Sequence, residues 1–107
     1  MLKNTASPKV CDVRGTYAGT SITNGVTNAL SYQLKDDNLA VGLDANGNQV
    51  TFGGYKNTCD SVIISAYYSV NGDYYLLQGA LLNNGTAING TFLNVTTGIS
   101  GTFTMKQ

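Results

Sequence analysis

Residues 88–103 read INGTFLNVTTGISGTF, and this stretch decides the fold class. The unit Ile-Asn-Gly-Thr-Phe at 88–92 returns as Ile-Ser-Gly-Thr-Phe at 99–103, and Leu-Gln-Gly-Ala-Leu at 77–81 is a looser copy. The units begin eleven residues apart, which is the length of one strand plus one tight turn. This spacing predicts a hairpin meander. With residues 96 and 97 at the turn centre, Phe92 faces Gly101 and Gly90 faces Phe103. Each ring then covers bare backbone on the opposite strand.

The rest of the chain continues this pattern of short alternating runs separated by Asn- and Gly-rich turns, which accept positive φ cheaply. No window shows a helical apolar face. Gly15-Thr16-Tyr17 repeats the Gly-Thr-aromatic unit in the first strand, as a closed ring of strands allows. We predict an all-β, eight-stranded antiparallel up-and-down barrel over residues 13–107, after a polar leader at 1–12. The predicted strands are Val13–Ser21, Asn28–Lys35, Asn38–Leu43, Gln49–Tyr55, Ser61–Val70, Asp73–Leu82, Thr86–Asn94 and Ile99–Lys106.

Alternation within the strands indicates apolar side chains inside and polar side chains outside, which is the pattern of a water-soluble sheet. In strands three and four this assignment places Leu39, Val41, Val50 and Phe52 inside. Apolar exceptions on the outer face cluster in strands five to seven, and they are Ile63, Tyr67, Tyr74, Leu76, Leu82 and Leu93. A contiguous apolar patch favours the interface of a homo-oligomer, although cover by a loop or by the leader is the alternative.

Charge and residue types exclude several classes of function. Six Lys and Arg balance six Asp, so the chain has no basic stripe for nucleic acid. It has no His, the commonest general base and metal ligand, and no acidic cluster with ligand spacing. We therefore expect no metal, cofactor or catalytic residue. No apolar run of about 20 residues predicts a transmembrane segment.

Cys11 and Cys59 are far apart and do not have a metal or redox spacing. A reactive thiol and a pair of inert thiols are possible, but a disulfide is the prediction for an exported small domain. In the chain-entropy account it contributes roughly 4 kcal/mol. The composition, rich in Thr, Asn, Gly and Tyr and free of Glu, favours a secreted, periplasmic or cell-surface location. Residues 1–5 do not resemble a signal peptide, so a signal or lipid anchor would lie outside this chain.

Gly15-Thr16-Tyr17 at the start, the eight-strand meander, and Gly101-Thr102-Phe103 with Lys106 at the end resemble the calycin group of lipocalin- and avidin-type barrels. The chain is also similar to small β domains of bacterial cell-envelope lipoproteins, which often place a Gly-Thr-Tyr strand after a polar leader. The resemblance implies a calycin-like barrel. Avidin-like proteins line their biotin pocket with Trp, which this chain lacks, so biotin is not the expected ligand.

Acidic turn residues are the remaining candidates for chemistry. Residues 44–48, Asp-Ala-Asn-Gly-Asn, look superficially like a calcium loop, but the sixth-position Gly and twelfth-position Glu of an EF-hand are missing. The Asn-Gly pair predicts a hairpin turn instead. The other Asp residues lie at turns or strand ends, where Asp normally caps the chain, and not as a facing pair.

Aromatic side chains on the inner face are the candidate ligand-binding residues, since an eight-stranded barrel can hold one small ligand. They are Tyr17, Tyr32, Tyr68, Tyr75, Phe92 and Phe103. Core packing with the hydroxyls at a barrel mouth is the alternative role. Three functions stay open: a non-catalytic barrel binding a small apolar or amphipathic ligand, a module that self-associates through the outer patch, and a barrel-type cyclase or isomerase. The third requires a strongly perturbed titratable group inside the barrel.

Overall fold

A computed structural model describes residues 11–107, and the predicted leader at 1–12 lies mostly outside these residues. Eight antiparallel strands follow one another around a closed barrel, each paired with its sequence neighbour and the last with the first. The predicted fold class is confirmed. The strands are β1 (Gly15–Thr23), β2 (Val26–Leu34), β3 (Leu39–Leu43), β4 (Gln49–Asn57), β5 (Ser61–Tyr68), β6 (Tyr74–Leu82), β7 (Ala87–Asn94) and β8 (Ser100–Lys106), with a single 3₁₀ turn at Asp36–Asn38.

The register of the β7–β8 hairpin is the predicted one. Gly90 pairs with Phe103, and Phe92 pairs with Gly101. A Cβ atom at Gly101 would lie 2.6 Å from the Phe92 ring, so that ring occupies the space that the glycine leaves open. A Cβ at Gly90 would lie 1.9 Å from the carbonyl oxygen of Gln78. These close approaches let the sheet bend strongly enough to close.

The inner face of β3 and β4 differs from the prediction by one residue. Tyr32, Gly42, Thr51 and Tyr68 pair in one row across β2 to β5 and face inward. Leu39, Val41 and Phe52 therefore lie on the outer face, contrary to the sequence interpretation, whereas Val50, beside the register shift, lines the interior. Most interior positions of these two strands hold small residues, namely Ala40, Gly42, Thr51 and Gly53, and Tyr55 is the large exception. A register shift after Gly42 also breaks the simple alternation.

One end of the barrel is closed by the chain itself. Residues 11–14 run from the β4–β5 loop to the start of β1, and these two elements lie on opposite sides of the ring. The predicted disulfide is confirmed: Cys11 is bonded to Cys59, with their Cα atoms 4.8 Å apart. Val13 is buried beneath the barrel. The Tyr17 hydroxyl lies 2.6 Å from the Val13 carbonyl oxygen and 2.5 Å from that of Gly85, so it can donate to either.

We call this the closed end, and the end formed by the β1–β2, β3–β4, β5–β6 and β7–β8 turns the open end. Side chains fill the half of the barrel near the closed end. Its fully buried members are Val62, Ile64, Ile88, Tyr17 and Leu34. The half of the barrel near the closed end is thus a packed core.

Candidate functional site

A cavity of about 520 Å³ occupies the open half of the barrel. Apolar walls come from Leu30, Leu77 and Phe92, and exposed turn residues surround the mouth. The volume falls within the range of about 300–1,000 Å³ that is usual for small-molecule sites. The cavity exists because the strands continue beyond the packed core, and the side chains there line the space without filling it.

Tyr32 and Thr51 form the floor of the cavity, and both are buried. A Cβ at Gly42 would lie 2.7 Å from the Thr51 Cβ and 3.4 Å from the Tyr32 ring, so this glycine makes room for both side chains. Burial, with a smaller contribution from Tyr75, raises the pKa of Tyr32 to about 12, while a hydrogen bond from Thr51 acts in the opposite direction. At neutral pH the floor therefore presents a protonated phenol, which can donate a hydrogen bond but cannot act as a base.

Three aromatic rings form one wall. Tyr68 and Tyr75 meet edge to face with ring centroids 6.4 Å apart, and Phe92 lies 6.4 Å beyond Tyr75. Tyr75 and Phe92 are half-buried, and both rings line the cavity. This arrangement offers ring faces and edges to a flat or chain-like apolar group.

Two carboxylates lie at the open end of the barrel, one in the cavity lining and one in the β5–β6 turn just outside it. Asp44 lines the rim, where it accepts hydrogen bonds from the backbone N–H groups of Asn46 and Asn48, both 2.9 Å long. These bonds, above all the one from Asn48, hold the pKa of Asp44 below its usual value. Asp73 accepts a 2.8 Å hydrogen bond from the side-chain amide of the buried residue Asn94. Both carboxylates are thus fixed in place by the turns that carry them.

The structure separates the six predicted ligand-binding residues into two groups. Tyr32, Tyr68, Tyr75 and Phe92 line the cavity. Tyr17 and Phe103 lie in the packed core and do not reach it. The two groups differ in their position along the barrel axis. Alternation along a strand shows which side chains face inward but not how far along the axis they lie.

Sequence reasoning missed Thr51, Asn94 and the two mouth carboxylates. Asn94 follows Phe92 on the same face of β7, so extending the alternation by one step would have identified it. Thr51 was assigned outward because the faces of β4 were exchanged. Asp44 and Asp73 were interpreted only as turn residues, since their position at a cavity mouth depends on closure of the ring.

The predicted interface residues lie on the outer face but do not form one patch. Tyr67 pairs with Tyr74, their ring centroids lie 5.2 Å apart, and Leu76 pairs with Leu93 in the adjacent row. Ile63 pairs with Gln78, and Leu82 lies at the closed end beside Ala87. Phe52 is exposed and pairs with Tyr67, so it extends this row by one strand. The sequence interpretation did not include it in the interface. We call Phe52, Tyr67, Tyr74, Leu76 and Leu93 the outer patch.

Residues 44–48 form a hairpin turn whose Asp44 carboxylate is engaged with the turn's own amides. Within residues 11–107, no three His, Cys, Asp or Glu side chains come together as a metal site. Over the same residues, no helix has the length and apolar character needed to cross a membrane.

The chain matches no family model, no curated protein and no solved structure. The resemblance to calycins therefore extends to the small eight-stranded antiparallel barrel, which the structure shows, and not to membership of that group.

Proposed function

We propose that this protein is a non-catalytic binding protein that holds one small apolar or amphipathic ligand in the open half of its barrel. The observation that carries the proposal is the cavity of about 520 Å³ with an aromatic wall. A protein with a purely structural barrel gains nothing from such a space, since unfilled volume weakens packing. Mostly apolar walls with a few fixed polar groups are typical of ligand sites.

The polar groups of the cavity favour binding over catalysis. The Tyr32 hydroxyl remains protonated at neutral pH, and the Asn94 side chain is committed to Asp73 and to the turn amides of Thr96 and Thr97. A general base needs a pKa near the working pH, and the raised pKa of Tyr32 lies far above it. Tyr32 is instead suited to donate a hydrogen bond to a ligand oxygen.

An extracytoplasmic location, secreted, periplasmic or at the cell surface, accompanies the proposal. The disulfide between Cys11 and Cys59 supports it, because such bonds persist in oxidising compartments. It also anchors the segment that closes one end of the barrel.

Binding of the neutral dye Nile red, whose fluorescence increases in apolar surroundings, tests the proposal. Ser21 lies on the inner face and lines the cavity, so Ser21→Trp should fill the space and abolish binding. Thr102 is exposed on the outer face of β8, and Thr102→Trp should bind the dye like the wild type. Equal binding by both variants would place the dye outside the barrel and contradict the proposal.

Self-association is the second candidate, favoured by the continuity of the outer patch. Phe52, Tyr67 and Tyr74 form one row across three neighbouring strands, and each is more than one-third exposed. Burial of each such side chain contributes roughly 1.5–3 kcal/mol, enough in sum to hold a dimer. Tyr67→Lys with Leu76→Lys should then give a folded monomer by sedimentation equilibrium. A wild-type chain that is monomeric at high micromolar concentration would remove this candidate.

A further inference from the structure

The charges of the described residues are distributed unevenly along the barrel axis. Within residues 11–107 the cations are Arg14, Lys35, Lys56 and Lys106, and every one of them adjoins a strand terminus at the closed end. Four carboxylates accompany them there, and two of these, Asp12 and Asp36, pair with Arg14. The closed end is therefore close to neutral. The open end holds Asp44 and Asp73 without a cation among the described residues.

We propose that the ligand of this cavity is an amphiphile with a positively charged head, such as a primary or quaternary amine, on an apolar or aromatic body. The inference rests on the proposed binding function and names the chemical class of its ligand. The apolar body would lie against the rings of Tyr75 and Phe92, and the charged head would lie at the mouth between Asp44 and Asp73.

Asp44 lines the cavity mouth, and Asp73 lies behind the lining residue Asn94. Asp73 is held 2.8 Å from the Asn94 amide nitrogen, and Asn94 itself lines the cavity. The field of Asp73 reaches the wall: after burial, it is the next cause that raises the pKa of Tyr75. The same field that disfavours a phenolate on Tyr75 disfavours an anionic ligand head and favours a cationic one.

The aromatic wall adds to this selectivity. The faces of Tyr and Phe rings attract cations, with a contribution of about 0.5–2 kcal/mol in proteins. Tyr68, Tyr75 and Phe92 form a continuous aromatic surface just below the mouth. A carboxylate head, as in a fatty acid, would meet Asp44 in the lining and Asp73 just behind Asn94, and the lining residues include no basic side chain.

Three probes with one apolar body test the inference: 2-naphthylethylamine, 2-naphthylethanol and 2-naphthylpropionate, titrated calorimetrically into the wild-type protein. We expect the amine to bind about tenfold more tightly than the propionate, with the alcohol between them, since two nearby carboxylates supply about 1.4 kcal/mol. Added salt should reduce the ratio of the two affinities, because it screens exposed charges.

Charge-removing variants locate the effect. Asp44→Asn with Asp73→Asn keeps an acceptor oxygen in each turn and should bring the amine-to-propionate ratio close to one. Asp60→Asn removes the same charge at the closed end and should leave the ratio unchanged. If the propionate binds as tightly as the amine while the alcohol also binds, the charge inference is wrong and the proposed function stands. If none of the three probes binds, both are wrong.

Discussion

The two halves of this barrel are built from the same eight strands but differ in what fills them. Toward the closed end, Tyr17, Ile64 and Ile88 are fully buried, and the disulfide ties down the segment beneath them. Toward the open end, the same inner face carries half-exposed rings around a cavity. Residues that stabilise the fold therefore lie toward the closed end and residues that line the cavity lie toward the open end. We expect that each function can be perturbed separately.

The largest expected effect comes from the closed end, through the disulfide. The double substitution Cys11→Ser and Cys59→Ser removes a crosslink between residues that are 48 positions apart in the sequence. The free energy of unfolding should fall by about 4 kcal/mol, because the unfolded chain regains the entropy that the crosslink removed. Urea unfolding of the double variant against the oxidised wild type measures this. A loss below about 1 kcal/mol would show that the crosslink does not constrain the unfolded chain as the entropy account requires.

A pair of isoleucines compares the two halves directly. Ile88→Ala empties a fully buried position and should cost about 2–5 kcal/mol. Ile99→Ala alters the mouth, where the side chain is 47% exposed, and should change stability by less than about 1 kcal/mol. Urea midpoints at equal slope give both values. Similar losses at the two positions would contradict the separation of a packed half from an open one.

The sequence predicted the ring of strands well because hairpin turns and the eleven-residue repeat are local signals. The β7–β8 register followed from placing residues 96 and 97 at the turn centre, which pairs Gly90 with Phe103 and Phe92 with Gly101. The prediction of which side chains of β3 and β4 face inward was wrong, because small inner residues such as Gly42 carry no apolar signal. A cavity inside the barrel was considered from the sequence, but its position along the barrel axis could not be predicted, since the depth of a side chain depends on the shear of the closed sheet. Tyr17 and Tyr32 have neighbouring inward positions but different surroundings for this reason.

A smaller effect is expected from the cavity floor at alkaline pH. The pKa of Tyr32 is about 12 in the folded protein against an ordinary value of 10.0. Between these values the unfolded chain loses a proton that the folded protein keeps, so the free energy of unfolding falls as the pH rises. The full loss from this group is about 2–3 kcal/mol.

Urea unfolding at a series of pH values across that window should show the decline in the wild type. Tyr32→Phe removes the titrating hydroxyl, so the free energy of unfolding of this variant should fall less steeply with pH than that of the wild type. An unchanged slope in the variant would mean that the floor is open to water and that the phenol is not desolvated there.

The smallest expected effect belongs to the hydroxyl that seals the closed end. Tyr17 is fully buried, and its oxygen lies within hydrogen-bond distance of the Val13 and Gly85 carbonyls. Tyr17→Phe keeps the ring but leaves those carbonyls without this donor, which should cost about 1 kcal/mol. Tyr68→Phe is the matched control at the open end, where the ring is half-buried beside a solvent-accessible cavity, and its loss should be smaller. Because Tyr17 does not reach the cavity, Tyr17→Phe should bind Nile red like the wild type. A weakened affinity in Tyr17→Phe would show that the two halves are coupled, and the segregation of stability from binding would then be wrong.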